Sequence, residues 1–157
     1  MIQPDWKSSY CKFRQMLSTD LKTIVHIERL AYEFPWTEGI FRDCIRFGYQ
    51  CWVLEKICNY IQGYGIMLLA SKEAHIINIC VRPELQGHGL SRQILDHLIE
   101  LAKLMDAQTV FLEVRTSNER ALKLYLSTGF CEIGLRCGYY PAANGNREDG
   151  LVLAKEL

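Results

Sequence analysis

Along the chain, apolar positions change their spacing several times, and each change marks an element. Ile76, Ile77, Ile79 and Val81 crowd β-branched residues into one short run, which predicts a buried strand that Pro83 stops. Leu90, Ile94, Leu98, Leu101 and Met105 then recur at steps of three and four, with Leu95 and Ala102 beside them. That pattern predicts a helix with one wide apolar stripe. Upstream, Cys11 to Leu17 alternates weakly and predicts a first strand. Ser18, Thr19 and Asp20 are N-cap candidates for a helix carrying Leu21, Ile24, Val25, Ile27, Glu28 and Ala31. Glu33-Phe34-Pro35-Trp36 breaks that helix, Thr37 caps a second with Ile40, Phe41, Cys44, Ile45 and Phe47, and Gly48 ends it.

Gln50 to Lys56 and Tyr60 to Ala70 read as a β-hairpin turning near Asn59. Thr109 to Arg115 predicts a strand and Asn118 to Ser127 a helix closed by Gly129. Phe130 to Arg136 and Asn146 to Lys155 read as two final strands, joined by an irregular loop that holds Tyr139, Tyr140 and Pro141. The order is strand, two helices, three strands, helix, strand, helix, two strands. It predicts a mixed α/β (α+β) sheet with helices on both faces. No repeat or linker interrupts residues 1–157, which predicts one domain.

Composition narrows the function classes. Lys plus Arg equals Asp plus Glu at 18 each, so no general field argues for nucleic acid or a membrane surface. No apolar run approaches the roughly 20 residues of a membrane span. The seven cysteines, at 11, 44, 51, 58, 80, 131 and 137, include no Cys-x-x-Cys pair, which argues against zinc. With no leader pattern at the start, reduced thiols in a cytoplasm are expected, several of them buried as small hydrophobes. His26, His75 and His97 read as surface or packing residues, and His88 lies in the Gln86–Ser91 loop; none has metal spacing, so no metal is expected.

Three places could carry chemistry. Gln86 to Ser91 packs two glycines and a serine directly before a helix, whose first N–H groups and positive dipole end suit a phosphate. A plain strand-to-helix turn would look the same. On the strand, Val110, Leu112 and Val114 point one way and Phe111, Glu113 and Arg115 the other. A Glu inside an apolar strand pays desolvation unless it has a partner or a task, and an ion pair with a nearby arginine is the alternative. Asn118 and Tyr125 are seven apart, which places them on one helix face; core packing of Tyr125 with Leu122 and Leu126 is the alternative.

Gln86-x-x-Gly89-x-Ser91, following Val81-Arg82-Pro83, resembles the acetyl-CoA loop of the GNAT N-acetyltransferases, with Ser91 in place of the usual Gly or Ala. Leu112-Glu113-Val114-Arg115-x-Ser117-Asn118, then Ala121-Leu122-x-Leu124-Tyr125 and Gly129-Phe130, resemble that family's RimI branch, the ribosomal-protein alanine N-acetyltransferases. So do Phe34-Pro35-Trp36, Gly138-Tyr139-Tyr140-Pro141 and Arg147-Glu148-Asp149. The resemblance implies a GNAT fold with a mostly antiparallel sheet of about seven strands. It implies acetyl-CoA as co-substrate, Glu113 as general base, Tyr125 as general acid and Asn118 as a cofactor contact. Asn78, Ile79 and Cys80 would offer backbone contacts to the cofactor. Gln86, Gly87, His88, Gly89, Leu90 and Ser91 would hold its diphosphate. Phe34, Trp36, Tyr139 and Tyr140 are expected to flank the acceptor, a protein N-terminus, most naturally that of a ribosomal small-subunit protein. A lysine or small amine as acceptor, and a CoA-binding module without turnover, are the competing readings.

Overall fold

The computed structural model describes residues 10–57 and 59–157. Seven strands form one hydrogen-bonded sheet in the order β1-β2-β3-β4-β5-β7-β6. They are β1 (Lys12–Gln15), β2 (Gln50–Lys56), β3 (Tyr60–Ala70), β4 (Glu73–Val81), β5 (Thr109–Arg115), β6 (Cys131–Pro141) and β7 (Arg147–Glu156). The helices among the described residues are α1 (Leu21–Ala31), α2 (Glu38–Arg46), α3 (Leu90–Leu104) and α4 (Glu119–Ser127). β4 runs parallel to β5, while β1–β2, β5–β7 and β6–β7 are antiparallel. The chain forms two compact units. One comprises residues up to Ile66 and Asn78–Ile94; the other comprises Met67–Ile77 and Leu95–Leu157. β3, β4 and α3 run through both.

In the first unit the apolar stripes of α1 and α2 close over β2 and β3. Leu21, Ile24, Ile27, Phe41, Val53, Tyr64, Ile66 and Cys80 share one buried cluster, and Phe41 meets Tyr64 edge to face at 5.6 Å. The expected start signals are present, but one works differently. Ser18–Asp20 is a 3-10 turn, and the Asp20 carboxylate accepts the Leu17 N–H at 2.7 Å instead of a helical one. Arg14 grips the same carboxylate at 2.7 and 2.9 Å and reaches the buried Glu55 at 2.9 Å. Thr37 does cap α2, accepting from the Ile40 N–H, and Gly48 leaves it at φ +77°. On β4, Ile76, Cys80 and Val81 are buried while Ile77 is exposed, so the β-branched run is only partly core.

In the second unit, β5 alternates as expected, with Val110, Leu112 and Val114 buried. α3 buries Leu95, Leu98, Ile99 and Ala102, but Met105 is exposed. It lies beyond the last helical residue, where the chain turns through Asp106 at φ +62°.

Tyr139, Tyr140 and Pro141 are not in a loop, contrary to the sequence expectation. They form the end of β6, and the connection to β7 is the short turn at Ala143–Gly145. The β6–β7 register slips between Arg136 and Tyr140, then pairing resumes at Tyr140–Glu148 and Pro141–Arg147. At the slip, Arg147 donates to the carbonyls of Gly138 and Tyr139 at 2.6 and 2.7 Å, and Asp149 accepts the Gly138 N–H at 2.7 Å. Side chains of β7 thus replace the ladder bonds that the bulge removes. Pro141 is tolerated because β6 is an edge strand.

Candidate active site

The loop after β4 is built to leave backbone open. A 3-10 turn at Pro83–Leu85 follows the strand, and the Gln86 side chain donates back to the Val81 carbonyl at 3.2 Å. His88, exposed, has its Nδ1 at 3.1 Å from the Leu85 carbonyl. Gly87 and Gly89 sit at φ +84° and +80°, a region that side-chain-bearing residues rarely adopt. A Cβ at Gly89 would meet nothing within 4 Å, so the surface in front of it is clear. α3 starts at Leu90 and its first intrahelical bond runs from the Gln93 N–H to the Gly89 carbonyl. The N–H groups at the very start of this fifteen-residue helix precede that bond. Half-buried Leu90 and Ser91 form its first turn. Gly63 on β3 completes the frame, since a Cβ there would lie 2.6 Å from the Cys80 carbonyl and 2.9 Å from Ile94 Cδ1. It lets the start of α3 press onto the strands.

Beneath this loop's strand lies a polar cluster that the sequence reading passed over. Glu28 of α1 is 2% exposed. Its carboxylate accepts the Trp36 N–H at 3.0 Å, the Asn78 side-chain amide at 3.3 Å and the Tyr64 hydroxyl. All three donors are neutral. The Tyr32 hydroxyl donates to the Ile79 carbonyl at 2.7 Å. Burial first, then the negative charges around it, push the Tyr64 phenol far above its ordinary value. Burial pushes the Cys80 thiol up to about 12, which makes it a poor nucleophile at neutral pH. The available signal was Glu28 itself, a carboxylate at an apolar-stripe position four residues after Ile24. Of the predicted aromatic pair, Trp36 packs on Phe41 with centroids 5.3 Å apart, whereas Phe34 is exposed.

In the second unit, Glu113 lies on β5 opposite Val152. Its side chain is 24% exposed and accepts from Arg136 Nε at 2.8 Å. A hydrogen bond to Glu113 is the leading cause that raises the Tyr139 phenol. The Arg136 guanidinium lies 5.1 Å over the Tyr139 ring, and Tyr139 meets Tyr140 edge to face at 4.9 Å. Arg115 is fixed on every side. It donates to the Pro141 carbonyl at 2.8 Å, sits 4.5 Å over the Tyr140 ring and lies 3.6 Å from Glu148, which Ser117 also holds at 2.8 Å. Gly150 makes room for both tyrosines, because a Cβ there would be 3.0 Å from Tyr140 and 3.2 Å from Tyr139. Burial, then Glu113, pushes the Tyr140 phenol up to about 12.

Asn118 and Tyr125 belong to one helical element, the first as its cap. Asn118 is the N-cap of α4, at φ −86° and ψ 64°, and its side chain accepts the Ala121 N–H at 3.2 Å. Its backbone carbonyl accepts the Leu122 N–H at 3.0 Å, which joins it to the helical bonding. Tyr125 is half-buried, meets Phe130 edge to face at 6.0 Å, and burial pushes its phenol up to about 12.

Among the described residues Cys44, Cys51 and Cys80 are buried free thiols, while Cys11, Cys131 and Cys137 are exposed; Cys58 lies outside the described residues. No group of His, Cys, Asp or Glu among the described residues is arranged to hold a metal, and no described helix is long and apolar enough to cross a membrane.

Known proteins supply the context for this geometry. The chain is 38% identical over 137 residues to the [ribosomal protein bS18]-alanine N-acetyltransferase of Escherichia coli K12, covering 87% of this chain and 91% of that one. It is 36% identical over 141 residues to the enzyme of the same name from Haemophilus influenzae, covering 89% and 94%. The crystal structure of the ribosomal-protein-S18-alanine N-acetyltransferase from Escherichia coli superposes with a TM-score of 0.87 at 35% identity, over 94% of each chain. Residues 21–130 match the model of the acetyltransferase (GNAT) family, so the fold is the GNAT fold and the chain belongs to that family.

Proposed function

We propose that this chain transfers the acetyl group of acetyl-CoA to the N-terminal α-amine of a protein, specifically the N-terminal alanine of a ribosomal small-subunit protein, in the cytoplasm. The observation that carries the reading is Glu113: a reachable carboxylate flanked by Tyr139 and Tyr140, in a chain similar throughout to bS18-alanine acetyltransferases. An α-amine has a pKa of about 7.7–8.0, so neutralising it at pH 7 costs roughly 1 kcal/mol, against nearly 5 for a lysine near 10.4. One carboxylate is an adequate base for the first and a poor one for the second.

Acetyl-CoA is the acetyl donor, and the residues fit it. The clear surface over Gly89 and the start of α3 suit its diphosphate. The ladder between β4 and β5 covers Glu73–Ile76, so the backbone of Asn78, Ile79 and Cys80 continues β4 beyond it and is offered to the pantetheine arm. Asn118 offers its amide nitrogen. Glu113 takes one proton from the acceptor ammonium, the amine nitrogen bonds to the acetyl carbon, and the carbon–sulfur bond breaks; the second proton shed by that nitrogen passes to the departing thiolate, giving the amide and CoA thiol. Tyr125, at about 12, lies some 3.5 units above a thiol near 8.5, so complete proton transfer is uphill by about 5 kcal/mol. Its contribution is a hydrogen bond that strengthens as the thiolate forms. Tyr139 and Tyr140, beside Glu113, are the proposed contacts to the acceptor chain, and Phe34 and Trp36 are proposed as further acceptor contacts. Incubation with labelled acetyl-CoA and a panel of peptides tests the reading. Label should enter peptides beginning with the alanine of a small-subunit protein and should spare N-blocked peptides with free lysines. Label on lysine alone overturns it.

A further inference from the structure

We propose that Arg136 is a resting occupant of the acceptor's place: its guanidinium neutralises Glu113 until the acceptor ammonium displaces it. The inference rests on Glu113 being the base. The guanidinium bonds one carboxylate oxygen at 2.8 Å, so an incoming ammonium competes with Arg136 for the charge of Glu113. Both partners of the exchange are cationic N–H donors, so Glu113 trades one positive charge for another and is never left uncompensated.

Three features make Arg136 the displaceable partner. Its side chain is 55% exposed, and ion pairs this open to water are weakly held. In the β6–β7 register it faces Gly150, which has no side chain to pack against it, and it is the last paired residue before the strand slips. The Tyr139 ring, 5.1 Å beneath it, gives the guanidinium a surface to rest on after it leaves the carboxylate. Arg115, on the same strand as Glu113, shows the contrast. Pro141, Glu148 and Tyr140 all hold it, and Glu148 is held in turn by Ser117. Glu113 is thus faced by Arg136, Tyr139 and Tyr140 from β6 and lies opposite Val152 of β7, and of these the one cation is Arg136.

Steady-state kinetics of Arg136→Gln and Arg136→Lys with an alanine-initiated peptide, in wild-type and Glu113→Gln backgrounds, test the proposal. Losing a competitor of this strength lowers the peptide KM by about two- to fivefold. The kcat should stay within about twofold and the calorimetric affinity for acetyl-CoA should not move. Lysine, another cation, should restore the wild-type KM. In the Glu113→Gln background Arg136→Gln should do nothing. A raised KM, an unchanged KM, a kcat loss of about tenfold, or the same KM shift without Glu113 would each overturn the role. Full activity of Glu113→Gln itself would instead remove the base assignment, whatever Arg136 does.

Discussion

Glu28 and Glu113 are both carboxylates that accept from a tyrosine hydroxyl, and the likeness stops there. Glu28 is sealed at 2% exposure and satisfied by neutral donors from β3, β4 and the chain after α1. Glu113 keeps a quarter of its side chain in solvent and has a cation for a partner. A buried carboxylate with every bond committed fixes what surrounds it. A half-exposed one with a weakly held partner can exchange that partner for another. Burial alone does not single out the residue proposed as the base. The deciding properties are whether a group can be reached and whether its bonds can be given up.

The largest effect should come from Glu113→Gln, which keeps the shape and removes the proposed base. General acid–base groups contribute about 10²- to 10⁴-fold, and turnover near pH 7 should fall by that factor. The deficit should shrink towards pH 9.5, where the amine is free without help. A pH–rate profile that stays parallel to wild type would make Glu113 a structural ion-pair partner and erase the contrast with Glu28.

Tyr125→Phe sharpens the comparison from the donor side. Removing one preorganised donor costs about 10²- to 10³-fold in turnover. Because burial raises this phenol to about 12, it stays protonated throughout the assay range, and its loss should be the same at pH 7 and pH 9.5. Recovery at high pH would mean that Tyr125 acts by accepting a proton.

Gly89→Asp adds a third carboxylate, at the position proposed to face the diphosphate. Acetyl-CoA at a hundredfold excess over its dissociation constant should stabilise the wild type by about 2.7 kcal/mol, seen as a thermal shift. The variant should lose that shift, through repulsion and through the strain of a side chain at φ +80°. A shift equal to that of wild type would remove the diphosphate from this loop.

The contrast also explains what could be read from sequence. β5, with its alternation and Glu113 on the open face, follows from a period of two within one strand. The Gln86–Ser91 loop and the start of α3 follow from a local cluster of small residues. Glu28 is bonded to groups 36 and 50 residues away, and no local period encodes that. The strand at Tyr139–Pro141 was hidden for the same reason, since Arg147 and Asp149, from the next strand, supply the bonds that keep a bulged chain in the sheet. Asn118 and Tyr125 mark a narrower limit. The spacing places Asn118 at the start of α4 but not its use as a cap, which ties its amide oxygen to the Ala121 N–H.

Glu28→Gln, the same substitution made at the other carboxylate, is the smallest expected effect and the closest test of the contrast. The amide keeps the volume but turns one acceptor into a donor. It then faces either the Trp36 N–H or the hydroxyl and amide of Tyr64 and Asn78, and one side is left unmatched. Unsatisfied buried groups cost about 1–3 kcal/mol, so the unfolding free energy read from denaturant titration should fall by that amount. Tyr64→Phe removes one of the donors, and the double variant should cost less than the sum because the two share a bond. Turnover by the folded fraction should change little and equally across pH 7 to 9.5, because Glu28 exchanges no proton in the reaction. A loss that recovers at high pH, like that expected of Glu113→Gln, would transfer the base role to the buried carboxylate and reverse the assignment.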